Sequence, residues 1–178
     1  SWFRTVSRHR VSHTGTSNFM VSMLTSSLAE RKNSGDSFSL ASMKSMVLAG
    51  ERTNPQTIDA FSERAKPYGF KSEAFNVAYG LTESGSAFTL TDTEKPLKRV
   101  KAEDGTEIIS VGSVLPEYEL VIVDDYGEII RDENSQGEIC VSGPSVMEGY
   151  WNAGNDSGEE GGAIFLSLKG KNYLRTGD

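Results

Sequence analysis

The chain has 178 residues, 37% apolar and 24% charged, the proportions of an ordinary soluble globular protein with room for one domain or parts of two. Its net charge of −7 argues against a nucleic-acid partner, which would need a basic face to neutralise phosphates. No apolar run approaches the about 20 residues of a transmembrane segment, and a single cysteine excludes an internal disulfide and the usual thiolate zinc sites, leaving a reduced, cytoplasmic setting as the default. Taken in chain order, Arg4, Arg8 and Arg10 read as the solvated face of a strand. Met20, Met23, Leu24 and Leu28 recur at i, i+3, i+4 and i+8, which predicts one face of a helix that begins near Ser17 and Asn18. Met46-Val47-Leu48-Ala49 is a short buried strand ended by Gly50. Thr53-Asn54-Pro55-Gln56 starts a second helix: it offers an N-cap residue, a proline in the first turn, and a glutamine three after Thr53. Ile58, Phe61 and Ala65 give that helix its apolar stripe, and Pro67-Tyr68-Gly69 ends it. Residues 75–79 read as extended and run into Gly80.

The pattern changes near residue 105. Residues 1–105 alternate strand and helix signals, which predicts an α/β region with βα units on a parallel sheet. Residues 106–178 alternate with period two and turn often, which predicts a small antiparallel, barrel-like β subdomain. There Glu119–Asp124, the turn Asp125-Tyr126-Gly127 and Glu128-Ile129-Ile130 read as a hairpin. Cys140, inside the next strand at Glu138–Ser142, reads as a strand residue rather than a nucleophile. Residues 155–162 are polar and glycine-rich, the pattern of a surface loop.

Two short strings carry the chemistry: Tyr79-Gly80-Leu81-Thr82-Glu83, and Tyr173-Leu174-Arg175-Thr176-Gly177-Asp178, with Gly149-Tyr150-Trp151-Asn152 between them. Each alone has a plain structural reading. A Tyr-Gly pair after a strand is a turn, Thr-Glu is a helix cap, Thr-Gly-Asp is a turn, and Gly50 ends a strand. Together and in this order they resemble the adenylate-forming (AMP-dependent synthetase and ligase) enzymes, which join a carboxylic acid to ATP as an acyl-adenylate. Stretches from Trp2 to Asn18-Phe19, and again Ala65–Phe70, Gly137-Glu138-Ile139 and Gly143-Pro144-Ser145-Val146, are most similar to the fatty acyl-AMP ligase branch.

The resemblance implies roles. Bringing a carboxylate to the α-phosphorus sets two anions against each other, so a cation and hydrogen-bond donors must offset the charge. Glu83 would be a Mg²⁺ ligand and Thr82 would offer its hydroxyl to the α-phosphate, both as catalytic residues. Tyr79 would present its ring to the adenine, Gly80 would let the backbone approach the nucleotide with Leu81 among its contacts, and Asp178 would take the ribose hydroxyls. Gly50 and Glu51 stand where the family runs a strand end along the adenine face. Gly15, Asn18 and Phe19, with Met20 and Met23, would flank the acyl chain, although core packing explains these residues equally well.

The implied activity is activation of a fatty acid by ATP and Mg²⁺ for transfer to an acyl carrier protein; the alternatives are a medium- or long-chain acyl-CoA synthetase or a non-catalytic scaffold domain. Thr82 is commoner in the CoA ligases, and the stretch between Ser84 and Ser110 is shorter than the insertion of bacterial fatty acyl-AMP ligases, so the acceptor, carrier protein or coenzyme A, stays open. The family's lysine-bearing phosphate loop and its C-terminal lid are not in these 178 residues, so the chain by itself is expected to be inactive.

Overall fold

The computed structural model describes residues 1–31, 37–102, 104–132, 135–151 and 164–178. Residues 155–162, expected as a loop, and Asn152 of the Gly-Tyr-Trp-Asn string lie outside them. The chain is mixed α/β. The larger sheet has the strand order β1-β2-β3-β4-β7, and a four-stranded antiparallel sheet has the order β10-β11-β9-β8. Two compact units result, one of residues 1–79 and 89–113, the other of residues 80–88 and 114–178.

The first unit opens with helix α1 (Trp2–His9), which buries Phe3 and Val6 and ends on Arg10 in the left-handed region. This corrects the strand expected around Arg4, Arg8 and Arg10. Phe3 and Val6 are three apart, the period of a helix, and the arginines are exposed on its outer side as a solvated face should be. Strand β1 (His13–Thr16) leads to helix α2 (Asn18–Glu30), whose N-cap Ser17 accepts a hydrogen bond from the Met20 amide. Its buried face is Val21, Leu24 and Leu28, and Met20 and Met23 are exposed. The expected stripe was therefore rotated by about one residue: Leu24 and Leu28 belong to both candidate faces, and apolar periodicity alone does not choose between Val21 and Met20.

Strand β2 (Ser45–Leu48) lies parallel to β1 and to β3 (Phe75–Leu81), with Gly15 opposite Val47 and Leu48 opposite Val77. Helix α3 (Pro55–Ala65) starts where expected with Pro55 in the first turn, but its N-cap is Asn54, which accepts from the Gln56 amide, and not a box of Thr53 with Gln56: the Thr53 hydroxyl is buried without a partner among the described residues. It buries Ile58, Phe61 and Ala65, and the chain leaves through a short 3-10 turn to Gly69 at φ 86°. Phe61, Phe70 and Phe75 meet edge to face at centroid distances of 5.0–5.6 Å and anchor the core. A ribbon of β5 (Arg99–Lys101) and β6 (Glu107–Ile109) completes the unit, pinned to α3 by Arg99, which bonds Asp59 and Glu107.

The second unit takes the turn at residues 82–84, the start of β4 (Ser86–Leu90), and strands β8 (Glu119–Val123), β9 (Glu138–Ser142), β10 (Phe165–Leu168) and β11 (Lys171–Arg175). The strand β7 (Ser113–Val114) joins the units in sequence. The expected hairpin closes after β8: the Gly127 amide donates to Asp124, Asp124 to Glu128, and Val123 bridges Ile129. Among the described residues Val123, Cys140 and Tyr173 form one buried cluster of this unit, and Phe88, Val141 and Leu174 are buried as well. Cys140 is fully buried in β9, and burial pushes its thiol up to about 11, so it is a packed strand residue with no nucleophilic thiolate near neutral pH.

Candidate functional site

In the first unit the carboxyl ends of three parallel strands carry expected site residues: Gly15 in β1, Gly50 after β2, and Tyr79 near the end of β3. Ligands collect at such ends because the strand-to-helix loops open there. A side chain added at Gly15 would meet nothing within 4 Å, so the protein's own packing does not demand glycine there. Glycine inside a strand weakens it, and the position is left open to something that approaches closely.

Directly beyond lie Asn18, Phe19, Gly50 and Glu51. Glu51 Oε1 accepts a hydrogen bond from the Phe19 amide at 2.8 Å, which places its carboxylate on the first turn of α2. Asn18 Oδ1 accepts from the Asn54 amide at 2.9 Å, so the starts of α2 and α3 are strapped to each other. The structure thus brings Asn18, Phe19 and Glu51 together. Gly50 makes the turn at φ 83°, where a side chain would be strained. Phe19 is 63% exposed, Met23 52% and Met20 41%, so one side of α2 presents apolar side chains outward instead of packing them into the core.

In the second unit Gly80 and Leu81 finish the strand, and Thr82–Ser84 make a 3-10 turn that ends on Gly85 at φ 77°. A side chain at Gly80 would overlap the carbonyl of Ser86, so the return of the chain into β4 already requires this glycine. Ser84 is buried; its hydroxyl accepts from the Leu81 amide at 3.2 Å and shares its one proton between the carbonyls of Leu81 and Ser86, each 2.9 Å away. Thr82 is exposed and Glu83 is half-buried. Tyr150 donates from its hydroxyl to Glu83 Oε1 at 2.7 Å, and this bond holds the carboxyl below its usual range and raises the phenol.

Tyr150 bonds Oε1 and the Glu83 backbone amide also donates to the carboxylate, whose remaining lone pairs could take a cation. Among the described residues no group of three or more His, Cys, Asp and Glu could hold a metal by itself. A lone ionised carboxylate nevertheless suits Mg²⁺, which binds through one or two carboxylates and keeps phosphate oxygens and waters as its other ligands.

Asp178 follows β11 after Gly177, which turns the chain at φ 77°, and lies beside β9. Its carbonyl accepts from the Ile139 amide at 3.0 Å, and Thr176 bonds Ile139 through both amide and hydroxyl. Glu138 fixes this end: it accepts from Arg175 Nε at 2.9 Å and from the Gly177 amide at 3.2 Å, and the guanidinium lowers its carboxyl pKa. Tyr150 and Glu138 stood in the sequence only as parts of family-like strings. Their partners are 67 and 37 residues away, so no local spacing signals the roles. Among the described residues no helix is long and apolar enough to cross a membrane.

The chain is similar to known proteins in sequence and in fold. Nonribosomal peptide synthetase pngA of Aspergillus terreus is 29% identical over 97% of this chain, which spans 17% of that protein. The medium-chain fatty-acid–acyl-carrier-protein ligase JamA of Moorena producens is 25% identical over 99% of this chain, which spans 33% of it. The solved fatty acyl-adenylate ligase of Legionella pneumophila, in complex with acyl adenylate and pyrophosphate, superposes with a TM-score of 0.85 at 25% identity, over 99% of this chain and 33% of that one. A family model described as AMP-binding enzyme matches residues 1–151, most of the chain, and the protein belongs to that family.

Proposed function

We propose that this chain is a segment of an ATP-dependent ligase that activates a fatty acid as acyl-AMP for transfer to an acyl carrier protein. One carboxylate oxygen of the acid attacks the α-phosphorus, the bond to the β-phosphate oxygen breaks, and pyrophosphate leaves. In this reading Mg²⁺, when bound, supplies charge neutralisation for the phosphates. Glu83 is its protein ligand and Thr82 donates to the α-phosphate. Tyr79, Gly80, Leu81, Gly50 and Glu51 lie along the adenine, and Asp178 accepts from the ribose hydroxyls. Gly15, Asn18 and Phe19 flank the acyl chain.

The observation that carries the proposal is Glu83 itself: a half-buried carboxylate held in its ionised form by a bond from Tyr150 to Oε1, on the turn that follows a parallel strand. Support for a fatty acid comes from the outward Phe19, Met20 and Met23, whose apolar side chains suit an alkyl chain better than a polar one, and from the likeness to JamA and the Legionella ligase. The 29% identity to a nonribosomal peptide synthetase favours a second reading, in which an amino acid is activated by the same chemistry.

The test takes the full-length protein with Mg-ATP and a medium-chain fatty acid, with and without coenzyme A, and follows products by mass spectrometry. Acyl-AMP that persists beside coenzyme A is the expected result. Acyl-CoA would make the protein a CoA synthetase, adenylation of amino acids alone would select the second reading, and no product from any acid would leave a scaffold domain.

A further inference from the structure

The segment 143–151 does more than mark the family. The Met147 amide donates to the Glu83 backbone carbonyl at 2.8 Å, while Tyr150 reaches the same residue's carboxylate. Ser145 donates from its hydroxyl to the Ser84 carbonyl, so its proton is spent and Tyr118, 2.5 Å away, must donate to Ser145. Two glycines make room for this lock. A side chain at Gly143 would overlap the Tyr118 ring, and one at Gly85 would press on Ser145. The turn that carries Glu83 is therefore held at two backbone carbonyls, those of Glu83 and Ser84, and Glu83 is held at its side chain as well.

We propose that Tyr150 is a positioning residue, which by its bond to Oε1 fixes the Glu83 carboxylate in the orientation that meets a divalent cation. The proposal rests on the reading of Glu83 as the cation ligand. Tyr150 is 53% exposed, so its ring adds little to a core; its hydroxyl is the part with a defined task. An unrestrained glutamate at a surface turn samples many rotamers and loses that freedom when it binds metal. A donor already bonded to one oxygen removes part of that loss beforehand, as partners of metal-ligating carboxylates commonly do.

The experiment uses the full-length protein and a fluorescent, non-hydrolysable ATP analogue, its dissociation constant measured with Mg²⁺ and again with EDTA. The ratio of the two is the enhancement that Mg²⁺ gives, and it does not depend on turnover. Tyr150→Phe is expected to reduce this enhancement about tenfold, the low end for loss of a metal ligand's partner, with the EDTA affinity unchanged. Glu83→Gln is expected to abolish it, and Tyr150→Phe added to Glu83→Gln to change nothing further. If Tyr150→Phe keeps the wild-type enhancement while Glu83→Gln loses it, the proposal fails and the reading of Glu83 survives. Equal losses with Mg²⁺ and with EDTA would make Tyr150 a structural brace and also overturn the proposal. A wild-type protein with no enhancement, or one indifferent to Glu83→Gln, would remove the reading underneath and the proposal with it.

Discussion

The two units solve the same problem, holding a polar site at the edge of a fold, by different physical means. The first unit rests on packing: Phe3, Leu40, Met46, Leu48, Phe61 and Phe75 are all but fully buried in one continuous cluster. Its site residues are then placed by the ends of stiff elements. Among the described residues the second unit buries fewer large side chains, Phe88, Val123, Val141, Tyr173 and Leu174, and its site turn is pinned by the hydroxyls of Ser84, Ser145 and Tyr150, while Glu138 holds the end that carries Asp178. Packing is cooperative and indifferent to which apolar atom fills a gap, whereas a hydrogen-bond lock depends on each member. The first unit should therefore fail globally when broken, and the second locally.

The largest expected effect tests the packed side of that contrast. Phe61→Ala removes a fully buried ring that touches Phe70 and Phe75, and is expected to destabilise the protein by about 3–5 kcal/mol, read by chemical denaturation. Amide exchange should then accelerate across α2, α3 and β1–β3 together. A loss confined to α3 would break the picture of one cooperative core. Ser84→Ala is the matching test of the lock. It strips the Leu81 amide and the Leu81 and Ser86 carbonyls of a partner inside a buried site, at an expected cost of about 1–3 kcal/mol. Faster exchange should be limited to residues 80–88 and their neighbours in the second unit, with the aromatic cluster as protected as before. Uniform acceleration would show that the two units do not differ in this way.

What could be read in the sequence follows the same division. The starts of α2 and α3 were legible because a cap is a local event: Ser17 and Asn54 bond amides two or three residues on. The run from Phe75 into the signature and the burial of Ile58, Phe61 and Ala65 were legible for the same reason. Helix α1 was misread as strand because two buried apolar residues among arginines give too short a pattern to fix a period. The outward turn of Met20 and Met23 escaped because two apolar faces overlap on one helix. In the site, Glu83 and Asp178 stood out through the strings around them. The residues that hold them did not, because Tyr150, Ser145 and Glu138 act on partners 37 to 67 residues away, and only the fold makes them neighbours.

Glu51 offers the smallest and most discriminating effect, because it was expected at the nucleotide and stands in the structure on the Phe19 amide. A carboxylate on the first turn of a helix contributes in two separable ways, as a hydrogen-bond acceptor and as a charge against the helix dipole, together about 0.5–1 kcal/mol. Glu51→Ala should lose both, and Glu51→Gln, which keeps an acceptor oxygen, should recover the greater part in denaturation midpoints. A capping role makes the affinity for acid sensitive to Glu51→Ala, through the displaced Asn18 and Phe19, and leaves Glu51→Gln close to wild type. A role at the nucleotide carried by charge would make ATP affinity fall equally in both variants, because the amide has lost what the nucleotide's donors or cation would have met. Rescue by glutamine therefore assigns Glu51 to the scaffold of the first unit, and failure of rescue, with stability recovered, assigns it to the nucleotide.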